Sequence, residues 1–202
     1  MQPITIQDKM QNQFFGSVSV RYRNKKDGTS TEIHHKNNLI TYGGADILAA
    51  LLSGDERKKV SHMYFKYKNT TGTPVVDSIS RSSSVGDFLS LDGSDGTDWL
   101  KVPIMASPLL DNTSEESYSR YKHNRVTFVG TTSAVAPVGL SKDTTPNAFG
   151  HSVSSKIYSL ALVASPSRQT NSDDILFART NIAPIVAVED SYIDVFWTLT
   201  FL

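Results

Sequence analysis

The carboxylates of Asp92, Asp95 and Asp98 lie in one short stretch that also holds Gly93 and Gly96. Calcium takes clustered hard oxygen donors on a flexible, glycine-bearing loop, which makes this stretch the candidate metal site. Its spacing departs from the helix–loop–helix calcium pattern, which sets acids at alternate positions, glycine at the sixth and a glutamate at the far end. Asp and Gly are also ordinary turn formers. The expectation is a solvent-exposed turn, with no bound metal and no cofactor.

Other reactive residue types give no stronger pattern. His34, His35, His62, His123 and His151 show no zinc-ligand spacing. His34 and His35 are adjacent on a predicted strand and so face opposite sides. No Gly-x-Ser-x-Gly elbow is present to activate a serine. Glu115 and Glu116 are neighbours in a loop, whereas glycoside hydrolysis needs two carboxyl groups converging across a cleft. No glycine-rich phosphate cradle precedes a helix. The chain is therefore expected not to be an enzyme.

Aromatic residues offer a binding chemistry instead. Trp99, Tyr118 and Tyr121 fall in a long polar stretch, where rings could stack on a host glycan or bury in a partner surface. Their alternative role is to pin that stretch to its own domain. Arg120, Lys122 and Arg125 beside the tyrosines form too small a basic cluster for nucleic-acid binding. Over the whole chain, 20 basic residues balance 20 acidic ones, which removes the charge excess that drives phosphate binding. Cysteine is absent, excluding disulfides, thiolate metal sites and cysteine nucleophiles. The first residues lack an apolar signal core, and the apolar run Ile47 to Leu52 is too short to span a bilayer. Synthesis in the cytoplasm, no membrane contact and no nucleic-acid partner are expected.

The elements that must position these residues are mostly strands. Ser191 to Phe201 alternates, with Ile193, Val195, Trp197, Leu199 and Phe201 on one face and Tyr192, Asp194, Phe196, Thr198 and Thr200 on the other. That second face is too apolar for full solvation, so partial cover is expected from the helix below, the long insertion or a neighbouring subunit. Phe14 to Arg23 alternates too, and Asp27-Gly28 turns it back into Thr31 to Ile40 as a hairpin. His62 to Lys68, Arg125 to Gly130, Lys156 to Ala164 and Asp174 to Thr180 read as further strands, the terminal one following Pro184. Lys156 to Ala164 is apolar on both faces. One short helix is predicted over Gly44 to Ser53, opened by Thr41 or Gly43-Gly44 and closed by Gly54. The predicted fold is an all-β antiparallel sandwich, jelly-roll-like, with long loops. It comprises an N-terminal arm at 1–13 and a single domain at 14–202, with a Ser-, Thr-, Gly- and Asp-rich insertion at 69–124.

Two segments are similar to parts of small β-rich virion structural proteins of tailed bacteriophages. One is Asn37-Asn38-Leu39-Ile40-Thr41-Tyr42-Gly43-Gly44 running into the Leu-rich stretch through Gly54. The other is Leu176-Phe177-Ala178-Arg179-Thr180, then Ile182-Ala183-Pro184-Ile185 and the closing strand. Together they span about a quarter of the chain, and they carry no catalytic residues. The resemblance implies a homo-oligomeric virion component, either capsid decoration or a tail, baseplate or fibre-attachment part. Its partners would be copies of itself and other virion proteins, engaged through the arm and loops. The alternative is a carbohydrate- or receptor-binding module at a tail tip, assisted by calcium.

Overall fold

A computed structural model describes residues 14–54, 59–68, 78–90, 99–104, 125–132, 156–166, 172–186 and 191–201. Among them run eight strands: β1 (Phe14–Asn24), β2 (Ser30–Ile40), β3 (Val60–Lys68), β4 (Trp99–Pro103), β5 (Arg125–Thr131), β6 (Lys156–Ala164), β7 (Ile175–Val186) and β8 (Ser191–Phe201). Two helices accompany them, α1 (Tyr42–Leu52) and α2 (Val85–Leu89). The protein is all-β. Its strands form one antiparallel sheet in the order β4-β3-β6-β7-β2-β1-β8-β5. The sheet curls until its two end strands, β4 and β5, approach each other, giving a nearly closed barrel rather than two separate sheets. The arm at 1–13 lies outside the described residues.

Local chemistry explains the bends. At the β1–β2 turn, Asn24 N–H donates to Thr29 O at 2.9 Å, and Gly28 N–H donates to Asn24 O at 3.0 Å. Gly28 has a φ of 73°, a conformation that glycine adopts without strain. The register then shifts between Val20 and Arg21, leaving Ile33 as an extra residue on β2. Such a bulge bends its strand and sharpens the twist that closure needs. Beyond it β2 meets β7 only at Leu39 and Ile40. Where the two strands part, Lys36 Nζ reaches Asn181 O at 3.0 Å, and Tyr22 OH donates to Val186 O at 2.5 Å.

Inside the curl lies one core. Val18, Val20, Met63, Phe65, Leu100, Val102, Leu160, Leu162, Trp197 and Leu199 meet there, with Ile47 of α1 among them. Close packing is tight enough that a Cβ on Gly130 of β5 would stand 2.7 Å from Met63 Sδ of β3.

α1 begins two residues earlier than predicted, because Thr41 is its N-cap: Gly44 N–H donates to Thr41 Oγ1 at 3.1 Å. The Thr41 hydroxyl also donates to the backbone of β7, at Leu176 O. A Cβ on Gly44 would lie 2.2 Å from Phe177 O, so only glycine lets the helix start this close to β7. Gly54, at φ 86°, ends the helix as predicted.

Two expectations need correction. The helix α2, inside the stretch read as an insertion, was not predicted. β7 does not stop near Thr180 but continues through Pro184, where the register against β6 jumps from Ser159↔Asn181 to Ile157↔Ile185. Pro184 sits in that bulge, so its missing N–H breaks no ladder bond.

Candidate functional site

The candidate calcium loop Asp92, Asp95 and Asp98, together with Tyr118 and Tyr121, lies outside the described residues. Trp99 is on β4, half-buried, its ring edge-on to Tyr64 with centroids 5.2 Å apart and planes at 78°. Part of its surface is thus spent on its own sheet. His34 and His35 point to opposite sides, the first half-buried and the second exposed. His34 stands where β2 parts from β7. Its burial there, then the charges of Lys36 and His35, hold its pKa below the ordinary histidine value.

The notable chemistry is on the outer face of β3, β4, β6 and β7. Directly opposed residues share a face, so the pairings Tyr64↔Lys101, Tyr64↔Ala161 and Ala161↔Arg179 set one row of side chains across four strands. Trp99 and Lys66 start the next row. Alternation alone would leave such a Lys- and Arg-bearing face in water. Instead Lys66 and Arg179 are 0% exposed and Lys101 is 2% exposed.

The cover is the segment around α2, whose Val85, Phe88 and Leu89 pack with Tyr64, Ala161, Val163 and Leu176. A capping box starts this helix: Asp87 N–H donates to Ser84 Oγ at 3.1 Å, and Ser84 N–H donates to Asp87 Oδ2 at 2.7 Å. These Ser84 hydrogen bonds hold the Asp87 carboxyl below its usual pKa, with a smaller contribution from Arg179. Lys66 Nζ caps the far end, donating to Leu89 O at 2.6 Å. Tyr42 N–H donates to Arg81 O at 2.9 Å, tying the cover to α1. Arg179 reaches Ser83 Oγ at 3.4 Å and lies 5.9 Å from the Phe88 ring centre. The signal for this cover was present as Ser84-x-x-Asp87 ahead of Phe88-Leu89, but it was hidden among the serines of a low-complexity stretch.

At the β4 end of this row Lys101 Nζ donates to Asp174 Oδ2 at 2.8 Å and to Ser165 Oγ at 2.6 Å. Tyr64 OH donates to the same Asp174 oxygen at 2.5 Å. Burial first, then the hydrogen bond to Asp174 and its charge, push the phenol pKa above its ordinary value, so the donor stays protonated.

The second face of β8 is covered in part, as expected, but among the described residues the cover comes from the same sheet. Arg21 lies 4.9 Å over Phe196, while Arg23 and Lys25 lie 4.9 and 5.1 Å over Tyr192. Arg23 also forks onto Asp194, with Nε to Oδ2 at 2.6 Å and Nη2 to Oδ1 at 3.2 Å.

One apolar edge is left out. Tyr42, Ala45, Ala49 and Leu52 are exposed along α1 at spacings of three, four and three, so they form one helical stripe, with Tyr42 62% and Leu52 83% exposed. No described helix is long and apolar enough to cross a membrane, and no described group of three or more His, Cys, Asp or Glu could hold a metal ion. No protein-family model, no curated protein and no solved structure matches the chain. Fold and site together define an all-β, barrel-like protein with a sealed polar face and one exposed apolar helix edge.

Proposed function

We propose that this chain is a structural component of a tailed-phage virion, made in the host cytoplasm, which oligomerises and docks on the capsid or tail. The observation that carries the reading is the exposed stripe of α1. Among the described residues, Tyr42 and Leu52 are the large hydrophobic side chains that stand exposed. The stripe shows two large apolar side chains to water, and large exposed apolar side chains grouped together are a common mark of contact surfaces. It also lies within the segment whose sequence resembles phage virion proteins.

Further support comes from the nested strand pairing, β1 with β8, β2 with β7 and β3 with β6. That pattern suits a jelly-roll-like form whose two halves are joined through β2. In this reading α1, the arm and the loops contact copies of the chain and other virion proteins. Many copies of a modest interface then supply the strength of attachment. The glycan-binding alternative draws no support from Trp99, which packs against Tyr64.

The test is co-sedimentation of purified chain with phage particles assembled without it. Wild-type chain should pellet with the particles, and Tyr42→Glu with Leu52→Glu should stay in the supernatant while keeping its circular dichroism. A wild-type chain that never associates with heads or tails would sink the proposal.

A further inference from the structure

Lys101 and Asp174 face each other with side chains each 1% exposed. Nζ already lies 2.8 Å from Oδ2, one of the two oxygens on the carbon it would attack. Ser165 Oγ holds the amine from one side, and the Tyr64 hydroxyl holds Oδ2 from another. Asp174 Oδ1 has no hydrogen-bond partner among the described residues. We propose that Lys101 and Asp174 condense into an intramolecular isopeptide bond, a covalent staple from β4 to the start of β7.

The step balances without any added reagent. One proton passing along the Nζ–Oδ2 hydrogen bond converts ammonium and carboxylate into free amine and carboxylic acid. The Nζ lone pair then attacks Cγ, forming the C–N bond and placing the negative charge on Oδ1, while Tyr64 OH, hydrogen-bonded to Oδ2, helps that protonated oxygen to leave. The Cγ–O bond breaks. The oxygen leaves as water, taking the carboxyl proton and a second proton from nitrogen. Ammonium plus carboxylate thus becomes amide plus one water.

Two features of the site favour that direction. Two buried charges carry a desolvation cost that a neutral amide removes. Holding nucleophile and carbonyl in contact also makes the reaction unimolecular. The position of the staple matters too. β4 is a terminal strand of the sheet, paired to β3 alone among the described strands. A bond from Lys101 over Tyr64 of β3 to Asp174 fixes this edge to the far side of β6 in a chain that has no cysteine for a disulfide. The inference stands independently of the assembly role.

The test is the intact mass of purified full chain under denaturing conditions. The expected mass is lower than that of the sequence by one water, and digestion should yield a branched peptide joining the Lys101 and Asp174 segments. Lys101→Arg keeps the charge but cannot form the amide, and should restore the full mass. Tyr64→Phe should leave a mixture of condensed and uncondensed chain. A wild-type chain at full sequence mass overturns the proposal whatever the variants do. So does a water loss that persists in Lys101→Arg, which would place the dehydration elsewhere, such as at Asp27-Gly28.

Discussion

Arg23 with Asp194 on one half of the sheet, and Lys101 with Asp174 on the other, are both cation–carboxylate pairs held away from water, yet they are built differently. Arg23 offers a planar fork that engages both Asp194 oxygens, and its own side chain is still 22% exposed. Lys101 is a point charge on one oxygen of Asp174, and both partners are 1% exposed. The fork fills its carboxylate and lets water help at the rim. The lysine pair is buried on both partners and leaves one oxygen without a hydrogen bond. A guanidinium in this setting is an inert clamp, whereas an amine in the same setting can also be a nucleophile. α2 packs over Tyr64, Ala161, Val163 and Leu176 on the lysine's face, while among the described residues the face of β8 is covered by Arg21 on Phe196 and by Arg23 and Lys25 on Tyr192.

The largest way to break this comparison is Lys101→Ala. It strands a buried carboxylate, and the cost should be about 3–5 kcal/mol in denaturant unfolding. Arg23→Ala should cost less, about 2 kcal/mol, because water reaches the rim of that pair. Equal losses would remove the distinction between sealed and half-open faces. Ser84→Ala removes the N-cap of α2 and should cost about 1 kcal/mol. It should also speed hydrogen exchange in the β3 and β6 amides beneath before those of β1 and β8. The smallest effect is that of pH on His34. Its folded pKa lies below the unfolded value, so the folded state resists protonation. The stability it contributes is present above the unfolded histidine pKa and is lost as pH falls toward the folded value. An NMR titration should give a His34 midpoint below 6.5. A midpoint above 6.5 would contradict its burial at the gap between β2 and β7.

Strands were legible where alternation and turn chemistry agreed. Ile193, Val195, Trp197 and Leu199 could be set inward from spacing alone, and Asp27-Gly28 marked the hairpin. The same was true of Thr41 and Gly54 around α1, since caps demand particular residues. What could not be read was anything decided between distant segments. Lys66 and Lys101 sit on a face that alternation assigns to solvent, and Lys66 is turned inward by α2, whose Leu89 O it reaches across 23 residues of chain. The continuity of the sheet depends on Leu39 and Ile40 pairing with Arg179 and Ala178, a contact without any local signal. Pro184 reads as a strand breaker until the bulge that accommodates it is seen.

The functional account rests most directly on the stripe of α1, and the measurement that tests it is multi-angle light scattering of the full chain across a range of concentrations. The account predicts an oligomer for the wild type. Tyr42→Glu with Leu52→Glu should shift it to monomer without loss of folded signal. A wild-type chain that stays monomeric at every concentration, with the double variant indistinguishable from it, would contradict self-association through this edge.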